Sequence, residues 1–208
     1  MAIKVYVCGD SFMSRDVNCP GKHFSELMPE FDVVNLAAGG VGMIDICFQI
    51  KSAIDNKADY VIVSKTDSGR TEMIYPLGKD ILSPIGIENF RKGSDQRFIS
   101  HTIPTLMGLN SDQKIELTDE QKLAAQLYFK YMFDKELKGH VDTWAWEYWI
   151  NQLKENNIRY YIIPNNFCVY NYASKYPYEQ CIFHTDDETQ RIAAMHLIKE
   201  IKNENINT

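Results

Sequence analysis

The stretch Ile3-Lys4-Val5-Tyr6-Val7-Cys8-Gly9-Asp10-Ser11 decides the fold. Residues 3–8 are mostly apolar and show little alternation, which predicts a central parallel strand buried on both faces. The run stops at Gly9-Asp10-Ser11, so a serine stands at the carboxyl end of a first strand, opening into a turn. In open α/β sheets that position faces the crevice where ligands bind. A serine there becomes a nucleophile when a base reaches it.

Working outward, Asp32-Val33-Val34-Asn35-Leu36 is a second short strand that runs into Ala37-Ala38-Gly39-Gly40. Met43, Ile44, Cys47, Ile50 and Ile54 then recur at helical spacing and predict an amphipathic helix to about Asn56. Tyr60-Val61-Ile62-Val63 is a third strand, so strand, helix and strand form a βαβ unit. Regularity then stops. Residues 66–116 hold Pro76, Pro84, Pro104 and five glycines, too long for an ordinary connection, and read as an inserted loop-rich region.

Thr118-Asp119-Glu120-Gln121 has the pattern of a capping box. Leu123, Leu127 and Tyr131 follow on one helix face, and Gly139 is expected to close that helix. A second helix over about 141–156 carries Trp144, Trp146, Tyr148, Trp149 and Leu153, with the aromatic cluster expected to pack on the sheet. Arg159-Tyr160-Tyr161-Ile162-Ile163 is a fourth strand stopped by Pro164. A last helix starts near Thr185-Asp186-Asp187-Glu188 and packs through Ala193, Leu197 and Ile201. The expected architecture is one domain over 1–208, a three-layer α/β/α arrangement around a mainly parallel, flavodoxin-like sheet, interrupted by the insertion at about 66–116.

Composition bounds the function. The chain has 208 residues, 45% hydrophobic and 24% charged, as an ordinary globular protein has. A chain of that length buries about 70% of its unfolded surface and needs neither metal nor disulfide to fold. A net charge of -6 argues against a nucleic-acid partner. The five cysteines form no C-x-x-C pair, so zinc spacing is absent, and Cys8 and Cys47 read as small core residues. His23, His101 and His140 lack metal spacing too. No cofactor, metal or membrane is expected. The chain enters a strand without a signal-like apolar stretch, and no apolar run approaches the length of a membrane span, so a cytoplasmic location is expected.

Four features fall in one chain order. Gly9-Asp10-Ser11 ends the first strand, Gly39-Gly40 follows the second, Thr66-Asp67 follows the third, and His184 precedes the last helix. A parallel sheet brings such turns to one edge. This order resembles the SGNH (GDSL-type) hydrolase superfamily over almost the whole chain, though the matched residues are few. The first block matches, with Phe12 where the family usually has leucine. Asn35-Leu36-Ala37-Ala38-Gly39-Gly40 is similar to the second block and favours Gly40 over Gly39. His184-Thr185-Asp186-Asp187-Glu188 is similar to the last. The chain departs from the family at Thr66, where an oxyanion-binding asparagine would stand, and at Cys181, where an aspartate would precede the histidine.

The resemblance implies a serine esterase or deacylase acting on a small acyl ester, such as an ester of a glycan. Ser11 would be the nucleophile and His184 the base, with Ser11, Gly40 and Thr66 as the oxyanion hole. Asp10, Gly39, Asp67 and Arg70 would play supporting parts. Asp10 also reads as a turn residue bonding its own backbone. A protein that keeps the fold and binds without turnover is the rival expectation.

Overall fold

Val5 and Val7 point to one face of the first strand, Tyr6 and Cys8 to the other, and all four are buried. A computed structural model describes residues 2–10, 12–15, 21–38, 41–66, 70–74, 98–102, 119–163 and 187–204. In chain order the strands are β1 (Lys4–Cys8), β2 (Asp32–Asn35), β3 (Tyr60–Ser64), β4 (Arg70–Ile74), β5 (Phe98–Thr102) and β6 (Arg159–Ile163). The helices are α1 (Met43–Asp55), α2 (Asp119–Tyr131), α3 (Lys135–Glu155) and α4 (Asp187–Glu204), with a short 3₁₀ turn at Phe24–Leu27.

Four strands form one parallel sheet in the order β2-β1-β3-β6. Each face carries its own core. On one side Tyr6, Cys8, Val61 and Val63 pack with Ile46, Ile50 and Ala53 of α1 and with Trp146, Ile150 and Leu153 of α3. On the other, Val5, Val7, Tyr60 and Ile62 meet Met13, Phe24 and Met28, together with Ala193, Leu197 and Ile201 of α4. Burying each large aliphatic side chain contributes about 1.5–3 kcal/mol.

Two helices hand the chain to the sheet by one device. After α1, Lys57 takes a positive φ of 54° and the Ala58 N–H donates back to the Ala53 carbonyl at 3.0 Å. After α3, Asn157 takes a φ of 55° and the Ile158 N–H donates to the Leu153 carbonyl at 2.9 Å. Both are Schellman closures, which satisfy carbonyls that the helix end would leave open. Ala58 and Ile158 are themselves buried, and β3 and β6 begin two and one residues later.

Three expectations need correction. Inside 66–116, β4 and β5 pair antiparallel, from Arg70 opposite Thr102 to Ile74 opposite Phe98. The density of proline and glycine there hides two ordered strands; Pro76, Pro84 and Pro104 lie outside the described residues. Gly139 does not close a helix. The break comes at Met132–Asp134, because the Asp134 carboxylate accepts from the Glu136 and Leu137 N–H groups and starts α3 there. A mid-helix glycine such as Gly139 costs only about 1 kcal/mol against alanine, too little to stop α3. The aromatic cluster is split as well. Trp146 is buried, with the Lys65 ammonium 4.9 Å from its ring centroid, whereas Trp144 and Tyr148 are exposed. The face of α2 bearing Leu123, Leu127 and Tyr131 is exposed too. Among the described residues, no helix is long and apolar enough to cross a membrane.

Leu197→Ala is expected to lower unfolding free energy by about 2–5 kcal/mol, and Leu123→Ala by no more than about 0.5 kcal/mol, in urea titrations of the two variants. Burial also pushes the Cys8 thiol far above its usual range. The unfolded chain's thiol ionises near ~8.5 while native Cys8 does not, so the native state holds the extra proton and stability falls as pH climbs through that value. Alkylation at mildly alkaline pH should therefore spare Cys8 in the native chain and modify it in denaturant.

Candidate functional site at the carboxyl edge of the sheet

Where β1 ends, the chain must turn while pressed against its neighbours. A β-carbon on Gly9 would come within 2.5 Å of Met13 Cγ and 2.6 Å of Ser64 Oγ, so only glycine fits. The Gly9 peptide is polar and buried, and it needs partners. Gln49 of α1, fully buried, supplies them: its Oε1 accepts from the Gly9 N–H at 2.7 Å and its Nε2 donates to the Gly9 carbonyl at 3.2 Å. The Ala38 N–H donates to the same carbonyl at 3.2 Å.

Asp10 comes next and is only 1% exposed. Its carbonyl accepts from the Met13 and Ser14 N–H groups, closing the turn. Its Oδ1 accepts from the Phe12 N–H at 3.1 Å, an Asx-type bond. Its Oδ2 accepts from the Thr66 hydroxyl at 2.9 Å. Thr66 lies two residues past the end of β3, so this bond joins the turns that follow β1 and β3. Asn35, the last residue of β2, adds a third strand end. Its Nδ2 donates to the Met13 carbonyl at 2.9 Å and to Ser25 Oγ at 3.3 Å, and its Oδ1 accepts from the Ala37 N–H.

Of the residues singled out from the sequence, the structure thus brings together Asp10 and Thr66 and anchors both sides of position 11. Arg70 opens β4 opposite Thr102. Ser11, Gly39, Gly40, Asp67 and His184 lie outside the described residues. Thr66 has one hydroxyl hydrogen, and it goes to Asp10. In this geometry Thr66 ties the turn after β3 to the turn after β1.

Sequence reasoning missed Gln49. The signal was present, because a glutamine among Ile46, Ile50 and Ala53 breaks an apolar stripe at helical spacing. It also missed Asp45, a buried carboxylate in the first turn of α1, where the helix field favours an anion. Among the described residues no cluster of three or more acidic, histidine or cysteine side chains forms a metal cage.

No family model, curated protein or solved structure matches this chain.

Gln49→Leu should cost about 1–3 kcal/mol in chemical denaturation, because it orphans the buried Gly9 N–H. Thr66→Val should cost about as much, while Thr66→Ser retains most of the stability; equal losses in the valine and serine variants would argue that the hydroxyl contributes nothing.

Proposed function

We propose that the carboxyl edge of this sheet is the active site of an SGNH-type serine hydrolase that cleaves a small acyl ester, including esters on carbohydrate. The observation that carries the reading is the Asp10–Thr66 hydrogen bond, which ties together the turns after β1 and β3 at the strand ends where such a site would be built. The strand order β2-β1-β3-β6, with a core on each face, fits a three-layer α/β/α, flavodoxin-like domain. The free thiols of Cys8 and Cys47 suit the cytoplasm.

In the mechanism, Ser11 Oγ attacks the acyl carbon and gives its proton to the His184 ring. The new Oγ–carbon bond produces a tetrahedral oxyanion facing the Ser11 and Gly40 N–H groups. Collapse breaks the ester carbon–oxygen bond, and the His184 proton passes to the departing alcohol. Water, deprotonated by the same ring, then releases the acid and restores Ser11. Asp10 is a positioning residue: its Oδ1 holds the backbone just past position 11 while its Oδ2 holds Thr66. In this reading Gly39, Asp67 and Arg70 play supporting parts.

The commitment of the Thr66 hydrogen to Asp10 leaves two backbone donors for the oxyanion. One missing donor costs about 10²–10³-fold in rate, so slow turnover is expected. The same observation favours a second reading, in which the edge binds an acylated ligand and no longer turns it over.

A fluorophosphonate probe should label Ser11 in the native chain and not in Ser11→Ala. Hydrolysis of a short-chain aryl ester should vanish in Ser11→Ala and fall at least about 10³-fold in His184→Ala. An unlabelled parent chain that binds acylated sugar without releasing acid would establish the binding reading. Aryl ester hydrolysis that persists in Ser11→Ala would reject Ser11 as the nucleophile.

A further inference from the structure

Each face of the sheet carries a buried glutamine in an otherwise apolar helix stripe. Gln49 of α1 is on one; on the other is Gln190 of α4, 8% exposed and in line with Ala193, Ala194 and Leu197. A buried amide is explained by the group it serves. Gln190 Oε1 accepts from the buried Phe24 N–H at 2.7 Å, 166 positions away in the chain. That N–H opens the 3₁₀ turn, where a helix leaves its first donors without a partner of their own. Alongside, Asp187, the first residue of α4, lies so close to Gly21 that a β-carbon there would strike its carboxylate. The first turn of α4 is thus pinned at two points to the segment that follows β1.

That segment is tied in turn to the strand end. Ser25 Oγ accepts from Asn35 Nδ2 at 3.3 Å, and the same nitrogen donates to the Met13 carbonyl at 2.9 Å. The Met13 N–H donates to the Asp10 carbonyl, within the turn that carries position 11. A line of hydrogen bonds and single peptide links therefore runs from Asp10 to Gln190. His184 stands three residues before Asp187. Three residues of chain span at most about 10 Å, so fixing where α4 begins confines where His184 can be.

We propose that Gln190 is a positioning residue: by holding the first turn of α4 to Phe24, it sets where the His184 ring meets Ser11. This rests on the reading of the sheet edge as a serine hydrolase. Proton transfer between a hydroxyl and an imidazole requires hydrogen-bond reach. A misplacement of about 1 Å caused by a remote change costs about 10²-fold in rate. Leucine at position 190 keeps the bulk and loses the acceptor, which orphans the buried Phe24 N–H. Asparagine keeps the amide and falls one methylene short. Glutamate keeps an acceptor oxygen and suits a first helical turn, where the macrodipole favours an anion.

The test is the rate at which a fluorophosphonate labels Ser11 in the full chain, expressed per folded molecule by circular dichroism. Gln190→Leu should slow labelling about 10–100-fold, and Gln190→Glu by no more than about 3-fold. Should Gln190→Leu fail to fold, Gln190→Asn takes its place with the same expected loss. In a His184→Ala background, where no imidazole remains to be placed, Gln190→Leu should cost at most about 2-fold. Equal losses in the two backgrounds would make Gln190 a general support of the fold and would overturn the proposal. Labelling at the parent rate in Gln190→Leu would overturn it while leaving the hydrolase reading in place. A parent chain whose Ser11 takes no label would remove that reading and this inference with it.

Discussion

The peptide of Gly9 is the constraint from which the rest of the sheet edge follows. It sits where β1, Met13 and Ser64 crowd together, too tightly for any β-carbon. Water cannot reach it, so its N–H and carbonyl need internal partners. One glutamine on a neighbouring helix meets both needs, and it does so because α1 lies against the same face of the sheet that Cys8 faces. Without that side chain the strand end would hold a buried polar group with nothing to bond. With it, the turn is fixed before Asp10 makes any contact.

The position of Thr66 is then a matter of register. Cys8 pairs with Val63, so Gly9 falls level with Ser64 and Asp10 comes within reach of the residue two further on. Both Asp10 oxygens are thereby engaged, one along its own turn and one across to β3. A carboxylate used in this way serves as a brace between the two turns.

What could be read from the residues divides along physical lines. β1 and β3 were legible because strands buried on both faces are continuously apolar; β6, only half-buried, was legible from its aromatic and β-branched run and the Pro164 that follows it. The joint between α2 and α3 was misread because Gly139 looked like a terminator, whereas the cap that matters, Asp134, is decided by where its carboxylate finds free N–H groups. Periodicity on α3 pointed to an aromatic helix but gave no way to choose which of two opposed seams faced the sheet. Gln49 stood out as a polar residue in an apolar stripe, yet its meaning depended on Gly9, forty positions away, and no local pattern links the two. Asp10 carried a local expectation that involved its own turn; the bond to Thr66 is a product of the sheet.

The paired closures at Lys57 and Asn157 have a consequence at the far end of the strands they feed. Each anchors the foot of a strand to the last turn of a helix with at most one residue between. β3 is five residues long, a rod of about 16 Å at some 3.3 Å per residue. Its height is therefore set at the bottom, and the level at which Ser64 and Thr66 emerge at the top is set with it. The strand behaves as a ruler whose zero mark is a left-handed lysine, and what it measures out is the reach from Thr66 to Asp10.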